Sequence, residues 1–152
     1  MSFTTVISSI TFDTNILIYS IDTRDPRKHA AAKNIVKSCS AEGAILPLQC
    51  LNEFYRATTR KRLLPAADAK IVVQIMLKAM DVVTPSEADL IEAMNANQEH
   101  AIPFFDGLLW ATAQRAGCTV LLTEDFQDGR ILGNVTFRDP FTADFRLHDF
   151  LF

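Results

Sequence analysis

The chain has 152 residues, 49% apolar and 22% charged, with 5 Gly and 6 Pro; this is ordinary globular usage for about one domain and excludes disordered or collagen-like chemistry. A formal charge of -3 carries no basic excess, so any nucleic-acid role must rest on a local site. The three cysteines, Cys39, Cys50 and Cys118, lack a C-x-x-C and indicate neither a disulfide framework nor a zinc cluster; buried thiols in a reducing cytoplasm fit them.

The opening residues 1–12 lack the positive n-region and long apolar h-region of a signal peptide, and no stretch approaches the ~20 apolar residues of a membrane span, so neither secretion nor membrane embedding is expected. Residues 6–12 form a run of mostly β-branched and apolar residues that predicts a buried strand, ended by Asp13-Thr14-Asn15, which can open a helix. Asp25-Pro26 starts a second helix to about Cys39, with Pro at the first helical position, and Gly43 closes the connection.

Residues 44–48 have strand length, and residues 49–63 carry Leu51, Phe54, Tyr55 and Thr58 at helical spacing, with Glu53 in the first turn or so. Pro65 restarts a helix to Met80 whose apolar residues exceed a single stripe, which predicts burial on two sides. Residues 81–83 read as a third short strand, and Thr84-Pro85-Ser86-Glu87 supplies capping chemistry for a helix to about Asn97. Residues 105–116 read as a helix with Asp106 at its start and Gly117 as its stop. Residues 119–122 are a β-branched and leucine run reaching Thr123-Glu124-Asp125, and residues 134–137 form the last expected strand before Asp139-Pro140. Alternation of this kind predicts the α/β class: a three-layer α/β/α domain spanning residues 1–152, with a mostly parallel central sheet.

Open parallel sheets bind ligands outside the carboxyl ends of their strands. Asp13 and Asp125 follow two expected strands, Glu53 begins the helix after another, and Asp106 begins the helix leading to the strand before Asp125. All four can face one crevice. Bare carboxylates there would repel by roughly 3 kcal/mol per pair at ~5 Å and an effective dielectric of ~20. Mg²⁺ would compensate, since it accepts a few carboxylates and binds substrate phosphates, and one or two such ions suit hydrolysis of a phosphodiester.

Each residue also has a plainer reading. Asp13 can cap its helix, Glu53 can pair with Arg56, Asp106 can be a helix-start anion, and residues 123–129 can be a polar turn. The cluster Arg56, Arg60, Lys61 and Arg62 reads either as a nucleic-acid phosphate contact, chiefly through Arg56 and Arg60, or as a solvated helix end. Trp110 reads as core rather than a base-stacking platform. His29, His100 and His148 share no ligand spacing, and neither a Gly-rich phosphate loop nor a nucleophile elbow occurs.

Four segments taken in order, Phe12-Asp13-Thr14-Asn15, Asn52-Glu53-Phe54, Phe105-Asp106-Gly107-Leu108-Leu109-Trp110-Ala111 and Leu122-Thr123-Glu124-Asp125, resemble the PIN-domain nucleases. Within that family the chain looks like the VapC-like toxins of type II toxin–antitoxin pairs, and the match spans nearly all of it. The resemblance implies a Mg²⁺-dependent endoribonuclease, with Mn²⁺ as a substitute, in which Asp13, Glu53, Asp106 and Asp125 are the catalytic and metal-binding acids. Asn15 and Thr123 would orient those carboxylates from the outer shell. It further implies an RNA substrate, a small antitoxin partner, a homodimer and a cytoplasmic location. Asp128 stands where some members carry a further acid.

Residues from about 143 to 152 extend beyond the family core, and Phe137, Phe141, Phe145, Phe150 and Phe152 crowd this end. They either pack on the domain's own surface or dock on a second subunit or partner. Two rival readings remain: a non-catalytic PIN-like module that binds RNA or protein, and, more distantly, a phosphoryl-transfer domain of the haloacid dehalogenase or receiver kind. Asn15 breaks the Asp-x-Asp pattern of the dehalogenases.

Overall fold

Short strands that are buried along their length need cover on both faces, and helices supply it here. A computed structural model describes residues 9–151; Val6 to Ser8 of the expected first strand, and Phe152, lie outside the described residues. Strand β1 (Ile10–Phe12) is buried at every position and pairs in parallel with β4 (Val120–Leu122), equally buried, in the register Phe12 to Leu122. Strand β6 (Val135–Arg138) runs parallel along the far side of β4, and β5 (Ile131–Leu132) closes that edge antiparallel to β6. Strands β2 (Ile45–Pro47) and β3 (Asp81–Val83) form a second parallel pair.

Around these strands lie α1 (Thr14–Tyr19), α2 (Pro26–Glu42), α3 (Leu48–Arg60), α4 (Ala66–Ala79), α5 (Glu87–His100) and α6 (Phe104–Arg115). The result is the α/β class that the alternation predicts, mostly parallel and flanked by helices. Phe12, Phe54, Leu46, Leu121, Leu122 and Phe137 are fully buried at its centre. None of the helices among the described residues is long and apolar enough to cross a membrane.

Helices α5 and α6 are joined by chemistry and by a close approach. Ser86 and Asp89 form a capping box at the start of α5, and the buried Asp89 carboxylate also takes the Arg115 guanidinium of α6 at 2.9 Å. A Cβ at Gly107 would lie 3.3 Å from the Ala93 carbonyl oxygen, so glycine is what lets α6 settle on α5 beside Asp106. Trp110 of α6 is buried, as expected of core, and its indole N–H donates to the Leu132 carbonyl at 3.1 Å.

Three elements differ from the expectations. Helix α4 is not buried on two sides: Ala69 and Met76 are buried, while Ile71, Ile75 and Leu77 are 51%, 53% and 47% exposed. It packs on its neighbours through its inner residues, and among the described residues nothing covers the outer face. Strand β5 was not expected; it is only two residues long and returns to β6 through the two-residue turn Gly133-Asn134, with Gly133 at φ 57°. Helix α3 begins at Leu48, which puts Glu53 in its second turn rather than its first.

The phenylalanine-rich end lies on the protein's own body. Phe141, Phe145, Leu147 and Phe150 pack against the core. The rings of Phe145 and Phe150 stack with centroids 5.4 Å apart, and the Arg138 guanidinium sits over both. That is the plainer of the two readings of this segment.

Candidate active site

Parallel pairing of β1 with β4 brings two loops together at the carboxyl ends of the strands. The ladder runs one residue past each strand: the Asp13 amide donates to the Leu122 carbonyl and the Thr123 amide to the Arg138 carbonyl, both at 2.9 Å. Asp13 and Thr123 are thereby held side by side and buried. The Thr123 hydroxyl donates to Asp13 Oδ2 at 2.9 Å and accepts the Asp125 amide at 3.1 Å. Asp13 Oδ1 accepts the Thr14 amide at 2.6 Å, so this carboxylate caps α1 as well as facing the crevice.

Asp106 enters from the first turn of α6, and Asp125 from the loop after β4. Carboxylate oxygens of Asp13, Asp106 and Asp125 all lie within 4.8 Å of one another. Asn15 Nδ2 donates to Asp125 Oδ2 at 3.2 Å. Glu53 stands beside this trio on α3: its Oε2 accepts the Thr14 hydroxyl at 2.7 Å and its Oε1 the Gln49 amide at 2.9 Å. The same Gln49 amide donates to the Phe105 carbonyl at 2.9 Å, which ties α3 to the start of α6.

Electrostatics make the cluster costly without a counter-ion. Burial pushes the Asp13 carboxyl up to about 7; hydrogen bonds from Thr123 and Thr14 oppose the shift, and the Asp125 and Asp106 charges add to it. Asp106 is also raised, first by burial and then by the charges of Asp125 and Glu53. A cation among these oxygens would remove the repulsion and recover the ionised forms. The residues fit one: the donor set is all hard oxygen, suited to Mg²⁺ or Mn²⁺ rather than to soft thiophilic ions, and the buried Asn15 Oδ1 is an acceptor with no hydrogen-bond partner.

Glu53 does not pair with Arg56; its partners are Thr14 and Gln49. Asp128 stands apart from the trio, where it pairs with Arg138 at 2.8 Å and accepts the Asp139 amide at 2.9 Å. Arg56, Arg60 and Lys61 line an open groove of about 520 Å³ that starts at Glu53. His29 spends its Nδ1 on the Tyr19 carbonyl at 2.8 Å.

Sequence reasoning missed several supports of the site. Gln49 was legible, since it lies one helical turn before Glu53 on the same face. Thr14 was hidden behind its capping role. Glu124 accepts the Tyr19 hydroxyl at 2.6 Å and pairs with Lys28 at 2.8 Å, an attachment that raises the Lys28 ammonium to about 12. This clamp fixes the turn between Thr123 and Asp125, and nothing local announces a pairing of residues 96 positions apart.

The family model described as PIN domain matches residues 10–128. No curated protein gives a significant match. Among solved structures, a toxin–antitoxin complex from Klebsiella pneumoniae superposes with a TM-score of 0.65 at 19% identity, covering 88% of this chain and 98% of that one. VapC20 of Mycobacterium tuberculosis, described as a Sarcin-Ricin loop cleaving toxin, superposes with a TM-score of 0.62 at 20% identity, covering 74% of this chain and 87% of its own. At these identities the likeness is one of fold.

Proposed function

The chain belongs to the PIN domain family, and on that premise we propose that it is a metal-dependent endoribonuclease serving as the toxin of a toxin–antitoxin pair. The observation that carries the reading is the convergence of the Asp13, Asp106 and Asp125 oxygens within 4.8 Å, one of them deeply buried. Mg²⁺, or Mn²⁺ in its place, is the cofactor; Asp13, Asp106 and Asp125 would hold it, with Glu53 beside them. Bound there, the ion supplies Lewis-acid polarisation of a phosphate and a lowered pKa for attacking water.

The chain's own residues supply the positioning. Thr123 and Asn15 hold the Asp13 and Asp125 carboxylates in place, and Thr14 and Gln49 hold that of Glu53. Arg56 and Arg60 are placed to take phosphates of the strand as it leaves along the groove from Glu53. RNA as the substrate and an antitoxin as the partner are supported by what the two similar folds are described as doing, an argument by analogy of fold. The three buried free thiols fit a reducing cytoplasm. The open outer face of α4, with Ile71, Ile75 and Leu77, is the surface we assign to a second copy or to the antitoxin.

Replacement of Asp13 or Asp106 by Asn should abolish Mg²⁺-dependent cleavage of RNA by the purified protein while leaving its circular dichroism unchanged. Full activity in both variants would overturn the assignment. The non-catalytic alternative is separated by the same assay, because such a module binds RNA but never cuts it. Sedimentation at micromolar concentration tests the dimer, and a strict monomer counts against it.

A further inference from the structure

Phe105 is one of the two most exposed large apolar side chains among the described residues, at 63%, and it immediately precedes Asp106 in the first turn of α6. A lone exposed apolar residue needs no explanation in general. This one is different because the surroundings fix it and because every other ring near the site is engaged. Trp110 is buried, Phe126 stacks on Phe137 with centroids 4.0 Å apart, and Phe141 packs edge-on against Tyr19. Tyr55, the other open ring, lies in the groove between α3 and α4 with Leu51 and Lys70.

Two contacts hold Phe105 in place. Its ring meets that of Phe104 at 5.2 Å between centroids with an interplanar angle of 69°. Its carbonyl takes the Gln49 amide that also binds Glu53. An aromatic ring is therefore presented to solvent on a backbone locked to two of the acids, so little ordering entropy remains to be lost when something stacks on it.

The charge pattern says what that something is. Phosphates are drawn to the groove lined by Arg56, Arg60 and Lys61 on one side of Glu53, and to a cation among the acids. The Phe105 ring, one residue before Asp106 in α6, offers a neutral π-face, which suits the flat, uncharged part of a nucleotide. We propose that Phe105 is the stacking platform for an unpaired RNA base flanking the phosphate that is cut. The proposal rests on the ribonuclease reading and adds a subsite to it. Stacking on an aromatic face tolerates every base, so this subsite selects for single-stranded or splayed-out nucleotides rather than for a sequence.

The test uses the 152-residue protein with a short fluorescein-labelled single-stranded RNA and the same RNA made abasic at its central positions. Phe105→Ala and Phe105→Leu should weaken binding of the intact RNA by roughly 5- to 140-fold, the effect of about 1–3 kcal/mol per stacked base at 1.4 kcal/mol per tenfold. Phe105→Trp should restore it, with indole emission quenched as RNA is added. The abasic RNA should bind wild type and Phe105→Ala equally. The Mg²⁺-induced rise in melting temperature should be the same in all variants, since the acids are untouched. If Phe105→Ala binds and cuts the intact RNA as wild type does, the stacking proposal falls, the ribonuclease reading stands, and the ring is left to a protein contact. A wild-type protein that responds to Mg²⁺ yet neither binds nor cuts RNA removes both.

Discussion

Thr123 is the residue on which the site turns. One hydroxyl donates to Asp13 and accepts from the Asp125 amide, so it sets the spacing between two carboxylates that repel each other. Valine has nearly the same shape without the hydroxyl. Thr123→Val should lower Mg²⁺ affinity or cleavage by about 10- to 100-fold, the usual cost of losing an outer-shell hydrogen bond, and Thr123→Ser should recover most of it; calorimetric Mg²⁺ titration separates the three proteins. Asp13 carries a pH signature. Its carboxyl titrates at about 7 in the fold against an ordinary 3.8, so the folded state holds this proton more tightly than the unfolded chain. The resulting stability is complete below about pH 4 and is lost as the pH rises through 7. Urea denaturation in chelator should show that decline, and added Mg²⁺ should stabilise more above about pH 7 than near pH 5, because it binds the ionised form. The expected places of the acids, after strands and at helix starts, are where Asp13, Asp125 and Asp106 lie, while Glu53 lies in the second turn of α3. What could not be read was which atoms hold them and the turn before Asp125, because Thr14 looks like a cap and Lys28, the partner of Glu124, like a surface charge until the chain is folded.

At the scale of elements, the seat of α6 on α5 decides where Asp106 stands. Alanine at Gly107 would press a Cβ to 3.3 Å from the Ala93 carbonyl. Overpacking typically costs 1–3 kcal/mol, while alanine in place of glycine gains up to about 1 kcal/mol of helix propensity. Gly107→Ala should therefore be destabilised by about 0–3 kcal/mol in urea and yet lose roughly tenfold or more of its cleavage rate, since small displacements of reacting groups are expensive. A proportionate loss of both would argue that the close approach does not position Asp106. Helix existence was legible almost throughout, because capping chemistry such as Ser86 with Asp89 and stops such as Gly43 mark the ends. The apolar count of α4 does not predict its burial, because a count says nothing about whether a neighbour exists. Strand β5 is marked by Gly133-Asn134 between Leu132 and Val135, which is two-residue hairpin chemistry.

For the whole molecule, Phe141, Phe145 and Phe150 tie the phenylalanine-rich end to the core as partly buried rings packed against it. We propose that residues 1–152 unfold as one cooperative unit, so that heating followed by near- and far-ultraviolet circular dichroism gives coincident transitions. Phe145→Ala should lower stability by about 1–2 kcal/mol, below the full value for a completely buried ring because Phe145 is only partly covered. An unchanged melting temperature would mean that the segment's contacts contribute nothing in solution. The parallel partners of the central strands have a further consequence for timing. Asp13 meets its hydroxyl partner only when Thr123, 110 positions later, has been made. At about 5–20 residues per second of synthesis, the interval is roughly 5–20 s. During that time Glu53 and Asp106 are added, but the set of acids is incomplete until Asp125 has been made, so the proposed nuclease site cannot assemble before most of the chain has been translated, and any cut between Asp13 and Asp125 leaves fragments that each lack part of the set.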